Sequence, residues 1–137
     1  MLQAMNTGHD GSLTTLHANT PRDAVGRLEV MVGMSNANMG VCSIRQQVAS
    51  AVDLFVQISR FSDGSRKVTH VTEVTGMEGD LVTLQDLFVF DKQGLTEKLK
   101  VRGCFRATGI RPKFYERLAA CGLVLPAAIF ESSQEVG

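Results

Sequence analysis

A chain of 137 residues, 44% of them hydrophobic, is long enough to close one core, with about two thirds of the unfolded surface going inside. Fourteen basic residues balance fourteen acidic ones, which excludes a whole-molecule field for holding nucleic acid or an anionic membrane and leaves room only for a local patch. The three cysteines, Cys42, Cys104 and Cys121, have neither the close pairs of a zinc site nor the density of a disulfide scaffold, and are read as reduced thiols of a cytosolic protein.

Met1 to Thr7 reads as the last turns of a helix ending at Gly8, where left-handed backbone is cheap. Ser12 to Ala18 sets Leu13, Thr15 and His17 on one face and Thr14, Leu16 and Ala18 on the other, which predicts a buried strand. "NTPRD" then starts a helix: Thr20 can cap, Pro21 suits the first helical position, and Asp23 lies in the positive first turn. Val25, Leu28 and Val32 give it one apolar stripe, and it is expected to reach about Met34.

After the loop "SNANMG", Ser43 and Gln46 have capping-box spacing, and Ile44, Val48 and Ala51 mark a second buried helix face. From Asp53 the period changes to two. "DLFVQISR" and "RKVTHVTEV" read as strands joined at "SDGS", where Asp63 and Gly64 suit a type I′ turn. "MEGD" turns the chain into "LVTLQDLFVF", and "KVRGCFRA" supplies a fourth strand, so the middle of the chain is an antiparallel meander. A terminal helix follows, with Pro112 near its start, Phe114, Leu118 and Cys121 on one face, and Gly122 at its stop. The run from Leu118 to Phe130 is too short and too broken to span a bilayer and is read as core or partner-facing surface. The order of elements fits one mixed α/β domain over residues 1–137.

The two histidines of "TGHDGSLTTLHAN", His9 and His17, admit a metal site, a phosphate-sensing element or two unrelated structural roles. Metal ligands must converge within about 2.1 Å of one ion. An extended run from residue 12 to 17 covers roughly 17 Å, so the two side chains cannot share an ion, and no metal is expected. His17, at the carboxyl end of the expected strand, occupies the edge where open α/β sheets place ligands.

"LQAMNTGHDGSLTTLHANTPRDAVGRLEVM" resembles the segment after the Walker B strand of the type II/IV secretion ATPases, specifically the CpaF-type ATPases of tight-adherence pilus systems, and "TGHDGSLTTLHAN" is similar to their histidine box. "IRQQVASAVDLFVQISRFSDGSRKVTHVTEVTGMEGDLVTLQDLFVF" and "FRATGIRPKFYERLAACGLVLP" resemble the carboxyl-terminal part of the same family. The resemblance implies the carboxyl-terminal part of a RecA-like P-loop NTPase motor domain that hydrolyses ATP with Mg²⁺. It also implies a homo-hexameric ring in the cytoplasm, peripheral at the inner membrane, with secretion or pilus platform proteins as partners and no nucleic acid.

Carried onto this sequence, the resemblance assigns the sensing of the terminal phosphate to His17, and a catalytic or subunit-contact role to His9. Thr14 and Thr15 are nucleotide-side residues on this reading, and Asn19 belongs to the box by position only. Arg45 faces nucleotide or a neighbouring subunit on this reading, the alternative being solvated surface. The chain contains no G-x-x-x-x-G-K-[ST] string, whose amides and lysine would cradle the phosphates. It therefore looks like a carboxyl-terminal fragment, expected neither to bind nor to hydrolyse ATP alone. A non-catalytic module docking on a secretion platform is the rival reading.

Overall fold

The computed structural model describes residues 7, 11–35 and 38–136. The helix end expected over Met1–Thr7, and His9, lie outside the described residues apart from Thr7. Among the described residues the architecture is two helices, an antiparallel five-stranded sheet and a short carboxyl-terminal helix: α1 (Pro21–Ser35), α2 (Val41–Ala51), β1 (Leu54–Arg60), β2 (Arg66–Glu78), β3 (Leu81–Leu95), β4 (Val101–Ala107), α3 (Phe114–Ala120), a 3-10 turn (Ala127–Phe130) and β5 (Ser133–Val136). The strands follow one another in space in the order β1-β2-β3-β4-β5, as short connections between antiparallel neighbours require. Among the described residues no helix is long and apolar enough to cross a membrane.

The chain gathers into two compact units, Met1–Phe55 with Val74–Gln85, and Val56–Glu73 with Asp86–Gly137. In the first, α1 and α2 close a core of Val25, Leu28, Val48, Ala51, Val74 and Val82, with Leu16, Val32 and Phe55 packed against it. The expected apolar stripes of both helices thus face inward. Thr20 caps α1 as its position predicts: its hydroxyl accepts the Asp23 amide at 3.0 Å. Arg22 ties α1 to β3 by donating to the Val82 carbonyl at 2.6 Å.

Two expectations in this unit fail. The Ser43 and Gln46 capping box does not form: α2 begins three residues earlier than that box requires, at Val41, with Gly40 as an N-cap that offers no side chain. Ser43 is already inside the helix, where its hydroxyl cannot reach back to cap. Ser12–Ala18 is not a strand. Its alternation allows extended backbone, but a strand also needs a ladder partner, and among the described residues none lies beside it. Leu13 is 97% exposed in consequence, and Leu16 alone of the run's leucines reaches the core.

The second unit is held by buried Leu87, Phe90, Val101, Ala107 and Phe130 and by a file of rings. Phe88 stacks on Phe105 at 5.6 Å, and Phe130 meets Phe88 at 6.0 Å and Tyr115 at 6.1 Å. Buried Glu73 receives the Phe114 amide at 3.3 Å, which fixes the start of α3. That helix ends as Gly122 suggests: the Leu123 amide donates to the Leu118 carbonyl and the Gly122 amide to that of Ala119, with Gly122 at φ 80°. Its expected apolar face is only half met, because Phe114 and Leu118 are half-buried and Cys121 is exposed. Beyond it Phe130 is buried while Leu123 and Val124 stay in solvent, and β5, which sequence periodicity does not announce, pairs Phe105 with Gln134 and Arg106 with Ser133.

The β1–β2 connection is a hairpin but not of type I′, which needs positive φ at both central residues. Asp63 keeps negative φ and Gly64 alone is left-handed, at 80°. The Gly64 amide donates to the Phe61 carbonyl at 2.9 Å and the Phe61 amide to the Ser65 carbonyl at 2.8 Å, so this is a type I turn followed by one left-handed residue. Asp63 determines the difference. Its carboxylate accepts the Ser65 hydroxyl at 2.6 Å, the Val101 amide at 2.7 Å and the Ser65 amide at 2.9 Å. Those three hydrogen bonds, with Lys100 nearby, hold its carboxyl well below the usual carboxylate range.

Candidate functional site

Residues 11–20 approach α1 without regular structure, so their side chains are placed by what they attach to. The fixed point is the start of α1. Asp23 and Arg27 are four residues apart and share a face of the helix. Arg27 donates to the His17 carbonyl at 3.0 Å, which pins the end of the segment against that face. Around this bond His17, Ala18, Asn19, Asp23 and Arg27 line an open depression of about 360 Å³.

His17 is exposed and does not stand at the end of a strand, as the sequence suggests. It stands beside a helix N-terminus instead. That terminus has few amides to give an anion: Pro21 has none, and Thr20 already takes those of Asp23, through its hydroxyl, and Ala24, through its carbonyl. An oxyanion here would meet the His17 imidazole and the Arg27 guanidinium, with the Asp23 carboxylate opposing it. Such a set can make a contact to one phosphate but cannot enclose a nucleotide.

Thr14 and Thr15 are exposed and do not line the depression. Arg45 lies elsewhere in the same unit, where it donates to Glu29 at 3.1 Å and to the Asp80 carbonyl at 2.8 Å, bracing α1 and the β2–β3 turn from α2. Its guanidinium is thus a structural tie in this chain. Sequence reasoning misses Arg27; the signal was available in its spacing from Asp23 on the first turns of a helix entered directly from the histidine segment. Among the described residues no group of three or more histidine, cysteine or carboxylate side chains could hold a metal ion.

The family model described as type II/IV secretion system protein matches residues 1–113. The chain belongs to that family. Within it, the chain is 38% identical over 79 residues to the conjugal transfer protein TrbB of Rhizobium radiobacter, covering 58% of this chain and 22% of that protein. It is 34% identical over 74 residues to a probable conjugal transfer protein TrbB of Sinorhizobium fredii, covering 54% and 21%, and 29% identical over 79 residues to a putative conjugal transfer protein of Mycobacterium tuberculosis, covering 58% and 22%. This type II/IV secretion system protein therefore spans about a fifth of the length of the relatives it matches. The family match covers the histidine segment, α1, α2 and β1 to β4, and stops before α3.

Proposed function

We propose that this chain is the carboxyl-terminal portion of a RecA-like, CpaF-type motor ATPase that powers secretion or tight-adherence pilus assembly as a hexameric ring at the cytoplasmic face of the inner membrane. The observation that carries it is the family match over residues 1–113 combined with an exposed His17 beside Arg27. His17 and Arg27 fit a contact to the terminal phosphate of an ATP bound through residues outside this sequence. When bound, ATP with Mg²⁺ would supply the phosphoryl group transferred to water. His17 would sense its presence, and the His17 carbonyl bond to Arg27 would pass that signal to the start of α1. His9 belongs to the same box, at the site or at a subunit contact.

The test uses the longer protein carrying these residues, assembled as a ring. His17→Ala is expected to lower the ATPase rate at least about tenfold, a lost transition-state contact of about 1.4 kcal/mol, with little change in nucleotide dissociation constant, and His9→Ala to be milder. An unchanged rate in His17→Ala removes the sensor role. The 137-residue chain alone should show no saturable micromolar binding of ATP-Mg²⁺ by calorimetry.

A second reading, a non-catalytic docking module, draws support from β1. It is an edge strand, and Val56 and Ile58 on one of its faces are 58% and 57% exposed. A ring that turns over ATP only when His17 is intact decides against that reading.

A further inference from the structure

Residues 114–136 lie beyond the family match and form α3, the 3-10 turn and β5, all in the second unit. They are attached in two unequal parts. The first turn of α3 is seated where Glu73 takes the Phe114 amide and Arg111 lies over the Tyr115 ring at 4.8 Å. The part that follows is held more lightly. From 121 to 135 Phe130 alone is buried, against Phe88 and Tyr115. The Ala107 amide donates to the Ser132 carbonyl at 3.0 Å, and β5 then pairs with β4 over Gly103–Arg106. Ser133, Gln134 and Glu135 stand in solvent, so what these residues bring to the sheet is their main-chain pairing.

The two parts are joined by Gly122–Pro126, which reads G-L-V-L-P. Gly122 turns left-handed, at φ 80°, to end α3, and the chain then presents Leu123 and Val124, 61% and 76% exposed. A tie from this connector to α3 is the Tyr115 hydroxyl, which donates to the Leu125 carbonyl at 3.0 Å. Adjacent leucine and valine suit an extended segment that is covered on at least one face. Closed within one chain, the connector leaves both side chains in water.

We propose that residues 127–136 exchange between two copies of this chain: Gly122–Pro126 opens, and the 3-10 turn and β5 of each copy occupy the place beside Phe88 and β4 of the other. The occupant is fixed by identity, because that place already holds the same sequence within one chain. Every contact there is the same whether the segment arrives from its own α3 or from that of a second copy. Those contacts cancel, and the balance between closed monomer and exchanged dimer rests on the connector. Opened, its residues reach roughly 17 Å, and the two connectors pass one another about a twofold axis. Leu123 and Val124 of one copy then lie against those of the other, which covers the apolar surface that the closed chain exposes. The exchange requires neither nucleotide nor a ring.

A native thiol allows the test. Glu135 is the cross-strand partner of Cys104, so Glu135→Cys sets a second thiol opposite it, within the separation that a disulfide accepts. With the exposed Cys42 and Cys121 changed to serine, the 137-residue chain is sized by light scattering over a range of concentrations, and each fraction is oxidised and run on a non-reducing gel. A dimer that grows with concentration is expected, its bridge joining two chains, while the monomer fraction closes the bridge within one. Leu123→Ser with Val124→Ser should raise the dimer dissociation constant at least about tenfold. Because both side chains are exposed in the closed chain, the melting temperature of the monomer should not change, which separates this loss from unfolding. A chain that stays monomeric at every concentration overturns the proposal. So does a dimer whose bridge closes within each chain or does not form, or a serine pair that dimerises like the parent.

Discussion

The loops Phe61–Ser65 and Thr96–Lys100 have the same main-chain hydrogen bonds and the same left-handed fourth residue, yet one fills that place with glycine and the other with leucine. Hairpin closure after a type I turn imposes the backbone in both, because the following residue must turn left-handed to bring the strands back into register. It does not impose the residue. Gly64 is what conformational cost alone selects, and nothing lies within 4 Å of the Cβ that another residue would add there. Leu99, at φ 57° and 71% exposed, bears the conformational cost that Gly64 avoids.

The comparison breaks most severely where both loops lose their common support. Gly103 on β4 lies under the Phe90 ring, and a Cβ there would also come within 2.5 Å of the Asp91 carbonyl. Gly103→Ala should therefore force Phe90 away from Phe61 and cost about 2 kcal/mol, the usual scale of overpacking, read as a lower urea midpoint.

Next is the carboxylate that joins the two tips. Asp63 has its folded pKa depressed, so its stabilisation is complete above about pH 5 and is lost as pH falls below about 4, the unfolded value, toward the folded one. Asp63→Asn should lower stability at neutral pH and flatten that acid limb. A parent and variant whose melting temperatures run parallel from pH 6 to about pH 3 would show that the latch contributes nothing.

The smallest effects sharpen the comparison itself. Left-handed strain costs a leucine about 1–2 kcal/mol, and glycine loses about 0.4–1 kcal/mol through the unfolded chain. Gly64→Leu should thus destabilise by about 0.5–1 kcal/mol and Leu99→Gly should stabilise by about the same amount, while the doubly exchanged chain should match the parent. Equal signs for the two single changes, in denaturant titrations, would mean that the two loops are not equivalent.

The readable parts of the sequence were those carrying their signal locally. Thr20, Pro21 and Asp23 start α1 where their chemistry places them, Val25 and Leu28 face the core, Gly122 ends α3, and the strands around Asp63 and Gly79 turn where expected. The missed parts depend on partners distant in the chain. Asp63 abandons a type I′ turn because one of its oxygens is committed to Val101, 38 residues on. The candidate site was legible in its histidine and not in its arginine: His17 stands out by its motif, whereas Arg27 acquires its place only by bonding the His17 carbonyl. Arg45 shows the converse, an arginine singled out by position that the fold spends on Glu29 and Asp80.

The sequence by itself determined the family, the two amphipathic helices and the antiparallel meander, since periodicity, caps and turn glycines act over a few residues and need no knowledge of the rest. Only the tertiary structure decided that Ser12–Ala18 has no strand partner among the described residues, that β5 closes on β4, and that Leu99 stands left-handed and exposed. Pairing, burial and the company of charges are properties of what the folded chain places alongside a residue, and no local pattern carries them.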